Sequence, residues 1–248
     1  MTAQPDTDPT LDAAHTYARH GLRVLPIKPG HKYPAGIGRW QDAATTDPTT
    51  INAWWTGLYR GHGIGIATGP GSAVWVLDVD VADGKAGDDT LHDLEQTYSP
   101  LPDTIEATTG SGGRHLYFAW DPDHPVRNDQ SGRLGPGLDV RGDGGQVLAE
   151  PSIHPNGQPY TWVDGHAPGD IAPAPAPGWL YALLERHQAP ATPTATPAAT
   201  KPTGDRPGDL WAATVTWDQL LTTDGWTLHH TDPDGEQHWT RPGKDRRD

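Results

Sequence analysis

Apolar positions along this chain follow two spacings, one helical and one alternating, and the switches between them mark out the elements. Residues 11–20 place Leu11, Ala14, Tyr17 and Ala18 on one helical side, with Thr10 as the predicted cap and Gly21 as the stop. The apolar run 22–27 reads as a strand, and Lys28-Pro29-Gly30-His31-Lys32-Tyr33-Pro34 after it as a turn-rich loop. Asp47-Pro48 opens a second helix, with Ile51, Trp54, Trp55 and Leu58 as its expected buried stripe. Residues 63–69 and 73–80 read as successive strands, and residues 88–98 as a helix with Leu91 and Leu94 inward. Strands are expected at 104–108, 115–120, 138–141, 146–149 and 160–163. A closing helix over 178–187 carries Trp179, Leu180, Leu183 and Leu184 on one side. The mixture predicts an α/β (α+β) domain over residues 1–187.

After residue 187 the pattern stops. Residues 188–209 are dominated by Ala, Pro and Thr, which cannot bury enough apolar surface to offset the entropy of ordering, so a semi-extended linker is expected. Apolar residues return in 210–248, from Leu210 and Trp211 to Trp239, as a small further segment or the start of another module. There, Asp232-Pro233-Asp234-Gly235 predicts a polar hairpin turn, with His229, His230 and His238 nearby.

Composition narrows the classes. The chain of 248 residues has no cysteine, which excludes disulfides and thiolate zinc sites. No 18-residue apolar run exists and the first ten residues are polar, so no membrane span or signal peptide is expected and the predicted location is the cytoplasm. A net charge of −14 argues against tight, non-specific DNA binding by this chain alone, though not against a polymerase that grips its template weakly.

The chemistry centres on Ala73-Val74-Trp75-Val76-Leu77-Asp78-Val79-Asp80, where a buried strand runs into two carboxylates. Side chains alternate along a strand, so Asp78 and Asp80 share a face with Cα atoms roughly 6.5 Å apart. Two such acids repel unless a cation lies between them, and hard-oxygen donors suit Mg²⁺ or Mn²⁺. Alone, an Asp-x-Asp at a strand end is a common feature, so the rest of the chain must supply partners. Thr109-Gly110-Ser111-Gly112-Gly113-Arg114-His115 is a glycine-rich turn between two predicted strands; its amides could form an anion nest, with Arg114 and His115 adding phosphate contacts. Read without the acids upstream, it is a hairpin turn with a structural histidine. Asp139 and Arg141 share one face of the strand 138–141, either as a simple ion pair or as part of a site. In Pro151-Ser152-Ile153-His154, Ser152 and His154 share a face and could bind a sugar or phosphate.

Taken together, Leu25-Pro26, Gly30-His31-Lys32-Tyr33-Pro34, Trp40, Gly65-Ile66-Ala67-Thr68-Gly69, Asp78-x-Asp80, the 109–115 turn, Gly137-x-Asp139-Val140-Arg141 and Pro151-Ser152-x-His154 resemble the bifunctional primase–polymerase (Prim-Pol) domain of the archaeo-eukaryotic primase superfamily. The resemblance covers about residues 11–184. It implies a compact two-lobed fold with an RRM-like half and a catalytic groove between the lobes. It also implies paired metal-binding acids at Asp78 and Asp80, a third at Asp139, and a nucleotide-phosphate contact at His115. Ser111, Gly112, Gly113, Arg114, Arg141, Ser152, His154 and Lys32 correspond to further nucleotide-binding positions. The implied activity is template-directed nucleotidyl transfer with two Mg²⁺ or Mn²⁺ ions. The implied partners are single-stranded DNA, ribo- or deoxyribonucleoside triphosphates, and a replicative helicase in cis or in trans, in plasmid or phage replication. No zinc site is expected and no P-loop is present. Two rivals share these residues: a non-catalytic adaptor for single strands or a helicase, and a metal-dependent nuclease.

Overall fold

The computed structural model describes residues 8–188, 222, 226–231 and 237–240. The chain divides into two compact units, Met1–Ala189 and Pro190–Asp248. In chain order the first unit contains α1 (Pro9–Arg19), β1 (Val24–Ile27), a single turn α2 (Trp40–Ala43), α3 (Pro48–Thr56), β2 (Gly63–Ala67) and β3 (Val74–Val79). There follow α4 (Gly87–Thr97), β4 (Ile105–Thr108), β5 (Arg114–Ala119), β6 (Leu138–Arg141), β7 (Gln146–Ala149), β8 (Thr161–Trp162) and α5 (Gly178–Gln188).

Local chemistry explains where the helices start. Asp8, rather than Thr10, caps α1: its carboxylate accepts from the Thr10 and Leu11 amides, and Pro9, which has no amide to satisfy, takes the first helical position. Asp47 caps α3 in the expected way, accepting from the Thr50 amide at 2.8 Å and hydroxyl at 2.6 Å. Ile51 and Trp55 are buried on that helix and Trp54 packs beside them, but Leu58 is 81% exposed. The helix ends at Thr56, so Leu58 falls beyond the last turn and leaves the stripe.

Two antiparallel sheets organise the unit: a small one in the order β1-β2-β7 and a large one in the order β6-β3-β5-β4-β8. Within the large sheet, β3 is followed by α4 and the β4–β5 pair, and β6 and β5 flank β3. That interleaving of a split βαβ is the RRM-like half. No helix lies between β5 and β6; α5, arriving later, covers the sheet instead. Alternation along β3 divides the core. Trp75, Leu77 and Val79 join Leu116, Phe118, Leu138 and Val140 beneath Leu91 of α4 and Leu180 and Leu184 of α5. Val74 and Val76 face the other way, with Ile105 and Tyr117, into a core shared with α1, α3 and the small sheet. Each large apolar side chain so enclosed contributes about 1.5–3 kcal/mol.

In the second unit, β9 (Thr227–Thr231) and β10 (Gln237–Thr240) pair antiparallel, with a register shift between His238 and Trp239. The predicted turn at 232–235, the linker from 189 onward and most of 210–248 lie outside the described residues. Among the described residues no helix is long and apolar enough to cross a membrane.

Candidate active site

Strand register assembles the site. Asp78 of β3 is paired with His115 of β5 on one side and with Asp139 of β6 on the other. Residues in register on neighbouring antiparallel strands point to the same face. Asp139, Asp78 and His115 therefore form a row across three strands, on the face turned away from α4 and α5. The next inward positions on that face are Arg141, Val76 and Tyr117, so the charged row borders directly on the apolar core.

Asp80 lies one step past β3, held by backbone on both sides. Its amide donates to the Gly137 carbonyl at 2.8 Å, and its carbonyl accepts from the Gly87 amide at 3.2 Å. Gly137, at φ 78°, approaches so closely that a Cβ there would strike Gly87 and the Asp80 carbonyl. The glycine-rich turn is fixed in a similar way: a Cβ at Gly113 would strike the Val79 carbonyl, so only glycine lets the turn close over the end of β3.

Each acid has a cationic neighbour. Arg141 donates to Asp78 Oδ2 through Nε at 3.2 Å and Nη2 at 2.9 Å, and its Nη2 also reaches Asp139 Oδ2 at 3.3 Å. His115 Nε2 lies 3.5 Å from Asp78 Oδ1. Lys85 Nζ lies 2.6 Å from Asp80 Oδ2, while Asp80 Oδ1 accepts from the Ala82 amide at 2.9 Å. Burial pushes the Asp78 carboxyl up, but His115 and Arg141 outweigh it and hold the group well below the usual carboxylate range. Asp80 is likewise raised by burial and lowered further by Lys85 and the Ala82 amide, ending below its ordinary value. Asp139 goes the other way: burial and the nearby Asp78 charge outweigh Arg141 and raise it.

A cleft of about 250 Å³ opens over this row. Asp78, Asp80, Thr109, Ser111, His115 and Arg141 line one wall, and Lys32, Gln146 and Leu148 belong to the small-sheet side, with Tyr160 beside His115. Tyr160 is buried with its ring 5.8 Å from that of His115, and burial followed by the Asp78 charge raises its hydroxyl above the ordinary range.

The structure gathers some predicted residues and separates others. Lys32, Asp78, Asp80, Ser111, His115 and Arg141 line the cleft, Asp139 joins them through Arg141, and Gly112 and Gly113 form the turn beneath. Two amides of that turn, Thr109 and Gly112, are spent on bonds within it, which weakens the predicted anion nest. Arg114 alternates to the opposite face of β5 and pairs with Glu106 at 3.1 Å, so the cleft does not receive it. Ser152 is buried and committed: its hydroxyl accepts from the Ile64 amide at 2.7 Å and donates to the Ile64 carbonyl at 3.1 Å. His154 packs 5.9 Å from Tyr160, one ring removed from His115. Sequence reading missed Lys85, Gln130, Gln146 and Tyr160. For Lys85 a signal existed, a glycine-led cation five residues after the second acid; for the glutamines there was none. Among the described residues no three His, Asp or Glu side chains already surround one point; Lys85 and Arg141 sit on the carboxylate oxygens instead.

The first unit is thus an α+β domain of two antiparallel sheets with an acid-lined cleft where they meet. Residues 14–179 match the family model described as bifunctional DNA primase/polymerase, N-terminal (Prim-Pol), and the chain belongs to that family. Membership places it in the general class of DNA primases and polymerases. No curated protein matches the chain.

Proposed function

We propose that this chain is a template-directed nucleotidyltransferase that makes or extends primers on single-stranded DNA, in plasmid or phage-type replication. The observation that carries this reading is the in-register row Asp139–Asp78–His115, with Asp80 one step beyond, at the mouth of a cleft between two sheets. The carboxylates of Asp78, Asp80 and Asp139 are hard oxygen donors of a kind that suits two Mg²⁺ or Mn²⁺ ions, and Lys85 and Arg141 already balance their charge with positive groups. When bound, such ions activate the attacking 3′-hydroxyl and stabilise the departing pyrophosphate.

The chain's own residues do the positioning. Arg141, shared by two acids, keeps both carboxylates turned to one side. His115 offers its imidazole to the triphosphate from the cleft floor, and Lys32 and Ser111 add a cation and a hydroxyl from the walls. Arg114, Ser152 and His154 act behind this surface, through the sheet face, β2 and the glycine turn, rather than on the nucleotide. The apolar rows beside these charges and their mutual bonds fix them in place, so little reorganisation is needed as charge develops. A replicative helicase, in cis or in trans, is the expected partner, and the cytoplasm the expected place.

The test is incubation of the protein with a labelled primer on single-stranded DNA, Mn²⁺, and ribo- or deoxyribonucleoside triphosphates in turn. Longer products support the reading, shorter ones mean a nuclease, and unchanged DNA means an adaptor. Full activity in an Asp78→Ala/Asp80→Ala double variant would refute the assignment of the acids.

A further inference from the structure

The loop between β1 and α2 separates two hollows. Lys32 lines the acidic cleft, while Lys28, Pro29, Gly30 and His31 line a second groove of about 160 Å³, and Leu148 borders both. Among the described residues no acidic side chain lines this second groove. The loop is held in shape: the Lys28 amide donates to the Tyr33 carbonyl at 3.2 Å, the His31 amide to the Lys28 carbonyl at 3.0 Å, and Gln146 Nε2 to the Lys32 carbonyl at 2.8 Å. On it Tyr33 is 50% exposed, with the Lys28 ammonium 5.6 Å from its ring centre and the His31 ring 4.6 Å away. Ile153, 52% exposed, lies across the groove, and exposed Arg60 precedes the lining residue Gly61.

Arg39, Lys85, Arg114, Arg133 and Arg141 each pair with a carboxylate, and Arg19 and Arg23 donate to Thr16, Ala44 and Asp42, whereas among the described residues no ion pair engages Lys28, Lys32, Arg60 or Arg127. A chain of net charge −14 has left uncompensated cations and an exposed aromatic ring beside its acidic cleft. Cations that follow a phosphate backbone, alternating with an aromatic face on which a base can stack, are how proteins hold single strands without reading sequence.

We propose that the 28–34 loop and its groove carry single-stranded DNA to the acidic cleft, with a base stacked on Tyr33 and phosphates on Lys28 and Arg60. Calling that strand the template rests on the polymerase reading above; the binding surface itself does not. Lys28 faces the groove rather than the cleft, which assigns it to the strand and not to the triphosphate.

Fluorescence anisotropy of a labelled oligo-dT, in EDTA and across a salt series, tests this with the full chain. Tyr33→Ala should weaken binding by about fivefold or more, and Tyr33→Phe, which keeps the ring, should restore it. Lys28→Gln and Arg60→Gln should each reduce the slope of log affinity against log salt by about 0.7. In primer extension the same variants should raise the KM for DNA and leave that for triphosphate unchanged. Wild-type affinity and slope in folded variants, or a raised triphosphate KM instead, overturns the proposal, as does a wild-type protein that does not bind the oligonucleotide. If the wild type binds through Tyr33 yet extends nothing, this surface stands and the polymerase reading falls.

Discussion

The two faces of the large sheet are built from the same strands and made for opposite purposes. The face under α4 and α5 is an apolar layer in which Trp75, Leu77 and Phe118 are all fully buried, with the Arg114–Glu106 pair beside it. The other face is apolar only in part: at the ends of β3, β5 and β6 it gives way to two acids and an imidazole in register. On the first face, stability comes from packing and needs no partner. On the second, packed apolar rows stop one residue short of charges that are tolerable only because Arg141 and Lys85 offset them. Alternation lets one strand serve both, since Leu77 and Asp78 are neighbours in sequence but face opposite ways.

The largest expected effect lies on the charged face. Asp78→Asn should lower primer extension by at least about 10²–10³-fold, the scale for losing one fixed electrostatic contribution, while keeping a cooperative unfolding transition. Extension at wild-type rate would break the distinction between the faces. Leu77→Ala makes the reciprocal change: it should cost about 2–5 kcal/mol by denaturant unfolding and leave divalent-ion binding by the folded protein unchanged.

This division was only half legible in the sequence. Strands 138–141 and 146–149 were read at their observed limits, and the helical stripes gave both cores, because hydrophobic periodicity is a local signal. Register is not local. That Asp139 and His115 both stand opposite Asp78 follows from a strand order in which β6 and β5 flank β3, and no property of residues 138–141 states it. Arg114 shows the cost of reading motifs as strings. It adjoins His115 in the glycine-rich segment, yet strand alternation sends it to Glu106 on the other face. Ser152 reads as a sugar or phosphate contact beside His154, but its bonds go to Ile64, 88 positions away. Lys85 was missed because ion pairing to Asp80 depends on the tight turn between them, whose central Asp83 adopts a left-handed conformation.

Intermediate effects sharpen the comparison. Arg141→Met leaves Asp78 and Asp139 facing each other, and should destabilise the protein by about 2–3 kcal/mol, less than a fully enclosed ion pair because the pair is partly exposed. Added Mn²⁺ should raise the thermal midpoint of Arg141→Met by more than that of the wild type or of Leu77→Ala, in both of which Arg141 still offsets the acids. No response to Mn²⁺ in any of the three would show that the acids hold no ion. Lys85 is more exposed, so Lys85→Ala should change stability by no more than about 1 kcal/mol. Because it frees an Asp80 oxygen, the same substitution should tighten Mn²⁺ binding measured by titration calorimetry.

The smallest effect belongs to the rim of the apolar face, where one titratable clasp touches α5. His124 Nδ1 lies 2.6 Å from Glu185 Oε1, and its ring stacks on Tyr181 at 4.7 Å. The hydrogen bond to Glu185, with smaller pushes from Asp121 and Asp123, raises the imidazole above its ordinary value. A histidine held more basic in the folded state than in the unfolded chain adds stability in full below the unfolded value, about pH 6.5. That contribution is lost as pH rises through the folded value. The thermal midpoint of the wild type should therefore exceed that of His124→Gln at about pH 6 by more than it does at about pH 8.5. A gap independent of pH would mean that the clasp acts through ring stacking on Tyr181 alone, and that the apolar face is insensitive to protons out to its edge.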